Sequence, residues 1–285
     1  MITTHQTGAA LNVLLAARAI NPLSRLFQRE LAALLDRLEQ RRTPLGAIII
    51  SFDAEASVNH HEREHLMALT PAQAGDCMQM LGTYNALLRR LETLDVAVVA
   101  VLSGDISGHT FAFALACHHR IALRQTRFSQ PQAGQGLTPV AGGIARTVRL
   151  AGLQAALPLL LEGATLSADQ AQRAGLLHAV ADSQTQLATL AINVQHSIRT
   201  VQPWDAKQAT LPSGVLDSAP LRPLLQTTPA MLRERAGGPS PAAEAALCAM
   251  VEGLLVDFEN ALLIESRYFC QTAITSPLRK SGFSL

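Results

Sequence analysis

The sequence predicts an α/β fold, and three observations carry that expectation. Val96 to Leu102 (VAVVAVL) is a short apolar run rich in β-branched residues that halts at Ser103-Gly104, the pattern of a buried strand. Thr110 to Cys117 follows a turn bracketed by Gly104 and Gly108. It is apolar on every side, as a helix buried all round should be. Strand, helix and strand also alternate upstream, in Leu11 to Ala17, a helix after Asn21-Pro22, and Gly46 to Ser51.

Leu11 to Ala17 reads as a strand, and Asn21-Pro22 as a turn that starts a helix. Leu23, Leu26, Phe27, Leu31, Leu34, Leu35 and Leu38 then recur at three and four, one face of an amphipathic helix. Gly46 to Ser51 is the next buried strand, and residues 52–76 are polar and irregular. Asp76 to Leu94 reads as a long helix, with Cys77, Met80, Leu81, Tyr84, Leu87, Leu88, Leu91 and Leu94 buried and Arg89, Arg90 and Glu92 wet. Beyond the central stretch, Arg146 and Arg149 are expected on a solvated helix face, and Pro158 to kink an apolar segment. Ser167-Ala-Asp-Gln170 is a capping box opening a short helix that stops at Gly175. Gln184 to Ile198 is helical, and residues 211–223 form a Pro- and Ser-rich loop. RERAGGPSP is a second break, after which Pro241 to Phe269 reads as one long helix.

Composition excludes several classes of function. A net charge of +1 leaves no basic footprint for nucleic acid and no acidic tail. Charged residues are only 16% against a usual ~25%. With 48% hydrophobic content, this points to surface hidden in an oligomer or under a C-terminal cover. Cys77, Cys117, Cys248 and Cys270 are scattered and read as buried thiols in a reducing compartment, so a cytoplasmic location is expected. No run reaches the ~18 apolar residues that would span a membrane. The first residues lack the basic region of a secretory leader.

A strand, a glycine turn and a buried helix in succession carry chemical meaning. The first backbone N–H groups of a helix have no partner within it, and the dipole makes that end positive. Such an end suits an anion or a developing oxyanion. Asp105 and His109 stand four apart across the turn, so both can face a pocket there; the alternative for Asp105 is to cap the turn. Gly142-Gly143 is another glycine-led helix start, whose alternative reading is close packing on the sheet. No dinucleotide fingerprint or P-loop can be made of it.

Leu-Ser-Gly, a small-residue turn at Gly108, a buried helix ending in Cys117, Arg120-Ile-Ala, Phe128, Pro131 and Pro139-x-Ala-Gly-Gly occur in that order. Together they resemble the enoyl-CoA hydratase/isomerase (crotonase) superfamily, and TLSADQAQRAGLLHAV is similar to it as well. PWDAK, GGPSPAAEA and ESRYFCQTAITSPLRKSGF resemble the hydratase region of multifunctional fatty-acid β-oxidation proteins, just before their dehydrogenase domain. The resemblance implies a spiral of ββα units over residues 1–200 and a helical segment over 201–285. It also implies an acyl-CoA thioester as partner, with CoA part of the substrate and no separate cofactor, and a homo-oligomer, trimer or hexamer.

The same resemblance implies an oxyanion hole built from the backbone amides of His60 and His109, beside His61 and Gly108. The register of residues 52–65 can shift by one or two. Two departures stand out. Gly108-His109-Thr110 replaces three glycines, and Ala112 and Gln132 occupy the positions of the family's catalytic glutamates. Ala112 cannot titrate, and Gln132 can orient water but not take its proton. Ordinary hydration is therefore expected to be impaired, and acid–base work in a lyase, isomerase or thioester hydrolase would fall to His60, His61, His109 or Asp105. The alternatives are a non-catalytic acyl-CoA binder or assembly subunit, and a zinc hydrolase through His61-Glu62-Arg63-Glu64-His65, which fits HExxH. The middle of that motif is charged and no third ligand follows at familiar spacing, so no metal ligands are assigned.

Overall fold

The computed structural model describes residues 1–53, 69–193, 200–207, 211–212, 214 and 221–275. In chain order, β1 (Ile2–Thr7) and β2 (Ala10–Leu15) form a hairpin, followed by α1 (Arg25–Glu39), β3 (Ala47–Phe52) and α2 (Ala74–Glu92). Next come β4 (Val98–Leu102), β5 (Asp105–Ser107), α3 (Gly108–Leu115), β6 (His119–Leu123) and β7 (Arg127–Ser129). The chain continues through α4 (Gly143–Ala151), α5 (Leu153–Leu161), β8 (Leu166–Ser167), α6 (Ala168–Arg173), β9 (Ala179–Ala181) and α7 (Gln184–Asn193). Three helices complete it: α8 (Leu221–Ala236), α9 (Pro241–Leu254) and α10 (Phe258–Thr275).

The strands form two sheets. The larger has the order β1-β2-β3-β4-β6-β9 and the smaller β5-β7-β8. In the larger sheet only the β1–β2 pair is antiparallel. Three successive turns of the spiral give one strand to each sheet: β4 then β5, β6 then β7, β8 then β9. This is the ββα spiral that the family resemblance implies. β1 has no apolar alternation to announce it, because as an edge strand of mostly exposed residues it buries no continuous face.

Local signals explain most boundaries. Ser24 caps α1 by accepting from the Phe27 N–H at 3.2 Å, and Phe27, Leu31, Leu34 and Leu35 fill the core beneath it. Ser167 and Gln170 form the expected capping box at α6. Buried Arg120 holds the C-terminal end of α3: its guanidinium donates to the carbonyls of Cys117 (2.5 Å), Leu115 (3.3 Å) and Leu176 (2.8 Å). Burial lowers its pKa to about 10, which leaves it charged at neutral pH.

Several expectations need correction. Arg146 and Glu92 are not wet; both side chains are fully buried and paired at 2.5 Å. Arg149 donates to the carbonyls of Gly253 and Val256. Pro158 lies inside α5, as the sixth of its nine residues, where the missing N–H removes one internal hydrogen bond. α8 continues through Arg235 into the segment read as a break. Pro241 to Phe269 is two helices, because the chain turns at residues 255–257 and Asp257 accepts from the Asn260 N–H at 2.8 Å. Both halves keep one apolar stripe, so periodicity cannot see the turn. Cys248 is exposed, unlike the other three cysteines. The predicted helix from Gln184 is described to Asn193, and residues 194–198 of it lie outside the described residues.

His118 gives the fold an acid-sensitive joint. Its Nδ1 accepts from the Val98 N–H (3.0 Å) and its Nε2–H donates to the Glu92 carbonyl (2.8 Å), so the neutral ring is satisfied on both sides. Burial holds its pKa below the usual range. His119, stacked on His178 at 4.0 Å, is pushed down to about 4 by burial and then by Arg120. The unfolded chain binds these protons from ~6.5 downward, whereas the native chain resists them. The histidine contribution to stability is therefore expected to be full above ~pH 6.5 and to fall on acidification towards pH 4, by up to ~1.4 kcal/mol per pH unit from His118. Urea midpoints at pH 7.5, 6 and 5 check this. A flat profile, or no flattening in His118→Asn, would contradict it.

Candidate active site

Two segments meet at the N-terminal mouth of α3. Gly108 opens this helix with φ of +54°, where side-chain-bearing residues are strained. A Cβ added there would stand 3.3 Å from Gln132 Nε2, so Gln132 lies directly against the turn. His109 follows in the first helical turn, half-buried like Gly108, while Thr110 to Ala116 are buried. First-turn amides point out of a helix end. The sequence builds this end because the apolar face of α3 is buried all round and only the glycine turn reaches the surface.

Ala112 lies one turn deeper and is fully buried. Gly143, at the start of α4, packs on it: an added Cβ would be 3.6 Å from Ala112 Cβ and 3.3 Å from Gln130 Nε2. Gln130 is a residue that the sequence reading did not single out. It is fully buried, and neither polar atom of its amide has a hydrogen-bond partner among the described residues. Gln132, 6% exposed, likewise has an unpartnered Oε1. Unpaired buried amides are rare enough to ask for a cause. The visible signal is the FSQPQ segment, which sets two amides two residues apart around Pro131.

The structure thus brings Gly108, His109, Ala112 and Gln132 together, and adds Gln130 and Gly143. Asp105 is exposed at the start of β5 and opposite Arg127 in register. It does not cap the turn: Ser107 precedes α3, and no side chain caps that helix. His60, His61 and the HEREH motif at 61–65 lie outside the described residues. Among the described residues, no group of three or more His, Cys, Asp or Glu could hold a metal ion.

The second glycine-led helix start is closed from within. Glu265, on α10, accepts from the N–H groups of Gly142 (2.7 Å), Ile144 (3.1 Å) and Ala145 (2.8 Å), using the donors an external anion would need. Burial raises its carboxyl to about 7, against the pull of the Ala145 N–H, Arg146 and the other two amides. Gly142 must be glycine here: its φ is +76°, and an added Cβ would fall 1.5 Å from Arg146 Nη1. Arg146 also donates to the Ala141 carbonyl (2.9 Å), which fixes the turn before α4. Glu92 joins Arg146 to Arg89 (2.5 Å), and Arg89 reaches Asp205 and Glu259. Phe258 stacks on Trp204 at 4.6 Å, with the guanidinium groups of Arg89, Arg146 and Arg149 over its ring. These contacts anchor the C-terminal helices beside the site.

Positions 112, 130 and 132 offer one methyl and two amides, which can orient a water or a polar acyl group but cannot exchange a proton with it. Main-chain donors at the start of a helix are of the kind that can polarise a carbonyl. Residues 6–211 match the enoyl-CoA hydratase/isomerase family, and the chain belongs to it. Among solved structures, it is similar to an enoyl-CoA hydratase from Bacillus anthracis, at 21% identity and a TM-score of 0.58 over 99% of this chain and 93% of that one. An enoyl-CoA hydratase from Bacillus halodurans gives 19% identity and a TM-score of 0.61 over 98% and 97%. Pseudomonas aeruginosa DspI gives 24% and 0.56 over 69% of this chain and 80% of its own. These likenesses establish the crotonase fold. No helix among the described residues is long and apolar enough to cross a membrane.

Proposed function

We propose that this chain binds an acyl-CoA thioester with its carbonyl at the mouth of α3, and that two-glutamate hydration is impaired in it. The observation that carries the reading is the meeting of Gly108, Ala112 and Gln132 at one helix mouth without a carboxylate among them. The backbone amide of His109 supplies one oxyanion donor, and that of His60 the second. A main-chain donor survives any side chain but proline, so losing the glycine at 109 leaves the hole in place. The imidazole of His109 narrows the pocket and offers a group that can act as acid or base. The PWDAK and GGPSPAAEA segments support descent from the hydratase part of multifunctional β-oxidation proteins. Residues 201–285 serve as a helical cover or subunit contact beside the core at 1–200, within a homo-oligomer.

The same lack of a carboxylate favours a second reading, a non-catalytic acyl-CoA binder or assembly subunit. A panel of crotonyl-, 3-hydroxybutyryl- and malonyl-CoA, assayed for both binding and product, separates the two. Binding is expected, with crotonyl-CoA hydrated at least ~10²-fold more slowly than by a two-glutamate enzyme. Binding without any product selects the binder. Failure to bind any thioester rejects both, and stoichiometric zinc with chelator-sensitive peptide cleavage selects a hydrolase built on residues 61–65.

A further inference from the structure

Two of the cysteines meet away from this cluster. Cys77, in the first turns of α2, and Cys270, near the end of α10, are 193 residues apart, yet the Cys270 thiol donates to Cys77 Sγ at 2.8 Å. Both are almost wholly buried, at 3% and 4% exposed. The other thiols are placed differently. Cys117 is enclosed at the end of α3, beside the Phe113 carbonyl, and Cys248 is exposed on α9.

We propose that Cys77 and Cys270 form a thiol–disulfide modification site, at which a peroxide creates an intramolecular bond that staples α10 to α2. This goes beyond the acyl-CoA reading and does not rest on it. α10 packs along α2. It also carries the side chains that hold the neighbouring loops: Glu265 at the start of α4, Thr272 accepting from the Thr138 N–H (3.1 Å), and Ser266 accepting from Asn85 (3.3 Å). A covalent link at Cys270 therefore fixes the helix that closes the α4 turn. Loop closure over so long a segment removes much freedom from the unfolded chain.

The chemistry balances with a peroxide as oxidant. The Cys77 thiolate attacks one peroxide oxygen; the O–O bond breaks, and the departing hydroxide takes the thiol proton to leave water and a sulfenic acid. Cys270 sulfur then attacks the sulfenic sulfur, the S–S bond forms, and the S–O bond breaks as a second water leaves with the Cys270 proton. The two thiols lose two electrons and the peroxide is reduced to two waters. The hydrogen bond from Cys270 holds the Cys77 thiol below its usual range, and the same contact raises Cys270, so Cys77 is the attacking sulfur.

The test uses the full chain with Cys248→Ser, which silences the exposed thiol. The protein is treated with hydrogen peroxide, alkylated in denaturant, digested and mass-analysed. A cross-linked Cys77–Cys270 peptide is expected, with Cys117 still alkylated. The thermal midpoint should rise by roughly 5–10 °C and return with dithiothreitol. Cys270→Ser, which keeps a donor to Cys77 Sγ but no second thiol, is expected to stop the reaction at a sulfenic acid on Cys77, trapped by dimedone. Alkylation of both Cys77 and Cys270 after peroxide overturns the site. A bond with no rise in midpoint overturns the staple. The parent digest decides the site even where the serine variant does not fold.

Discussion

Installing carboxylates at both substituted positions, by Ala112→Glu with Gln132→Glu, is expected to raise crotonyl-CoA hydration by about 10²-fold or more. The size follows from the reaction. Adding water across a C=C bond needs one group to activate the water and deliver its proton while another holds it, and positioned acid–base groups contribute roughly 10²–10⁴-fold. Ala112 and Gln132 already stand around the mouth of α3, against Gly143 and Gly108. The unpartnered Gln130 amide provides a donor for a carboxylate at 112. The Gln132→Glu change alone is expected to give a smaller gain, because the water would then be activated but held on one side only. Initial rates of crotonyl-CoA consumption, with a thermal midpoint for each variant, make the comparison. A folded double variant with unchanged hydration would count against the assignment of these positions.

Arg146→Met is expected to destabilise the fold by about 3–5 kcal/mol, the cost of leaving one member of a buried ion pair behind. Arg146 and Glu92 are paired at 2.5 Å with both side chains fully buried. Without the guanidinium, Glu92 keeps only Arg89 at 2.5 Å, and the Ala141 carbonyl loses a donor. Phe258 loses one of the cations over its ring. Adding Glu92→Leu to Arg146→Met removes the stranded charge, so the pair of changes should cost clearly less than the sum of the single ones. Urea denaturation of the four proteins reads the cycle. Additive losses, or a single-variant loss below ~1 kcal/mol, would mean that the pair is not coupled as the geometry requires.

Much of the fold is legible because its signals are local. Val98–Leu102 shows as a β-branched run, α1 and α2 as stripes at three and four, and α6 as a capping box. The candidate cluster is half legible. Gly108, Ala112 and Gln132 can be placed by their neighbours in the sequence, and the structure sets Gln132 against Gly108. Gln130 is missed because a glutamine in a loop carries no periodic signal, and its burial depends on α4 packing over it. Arg146, Glu92 and Glu265 are misread or missed for a related reason. A charged side chain on a helix is expected in water unless a partner of opposite sign comes from elsewhere in the chain, and such partners have no fixed spacing.

The sequence by itself determined the alternation of strand and helix from β2 to α3, the glycine turn that opens α3, and the absence of titrating groups at positions 112 and 132. Those properties rest on side-chain type and on neighbours within a few residues. Only the tertiary structure decided that α10 returns to α2 and α4, bringing Glu265 to three backbone amides and Cys270 to Cys77. Contacts across more than a hundred residues depend on how whole layers pack, and packing is a property of the assembled core that no local pattern encodes.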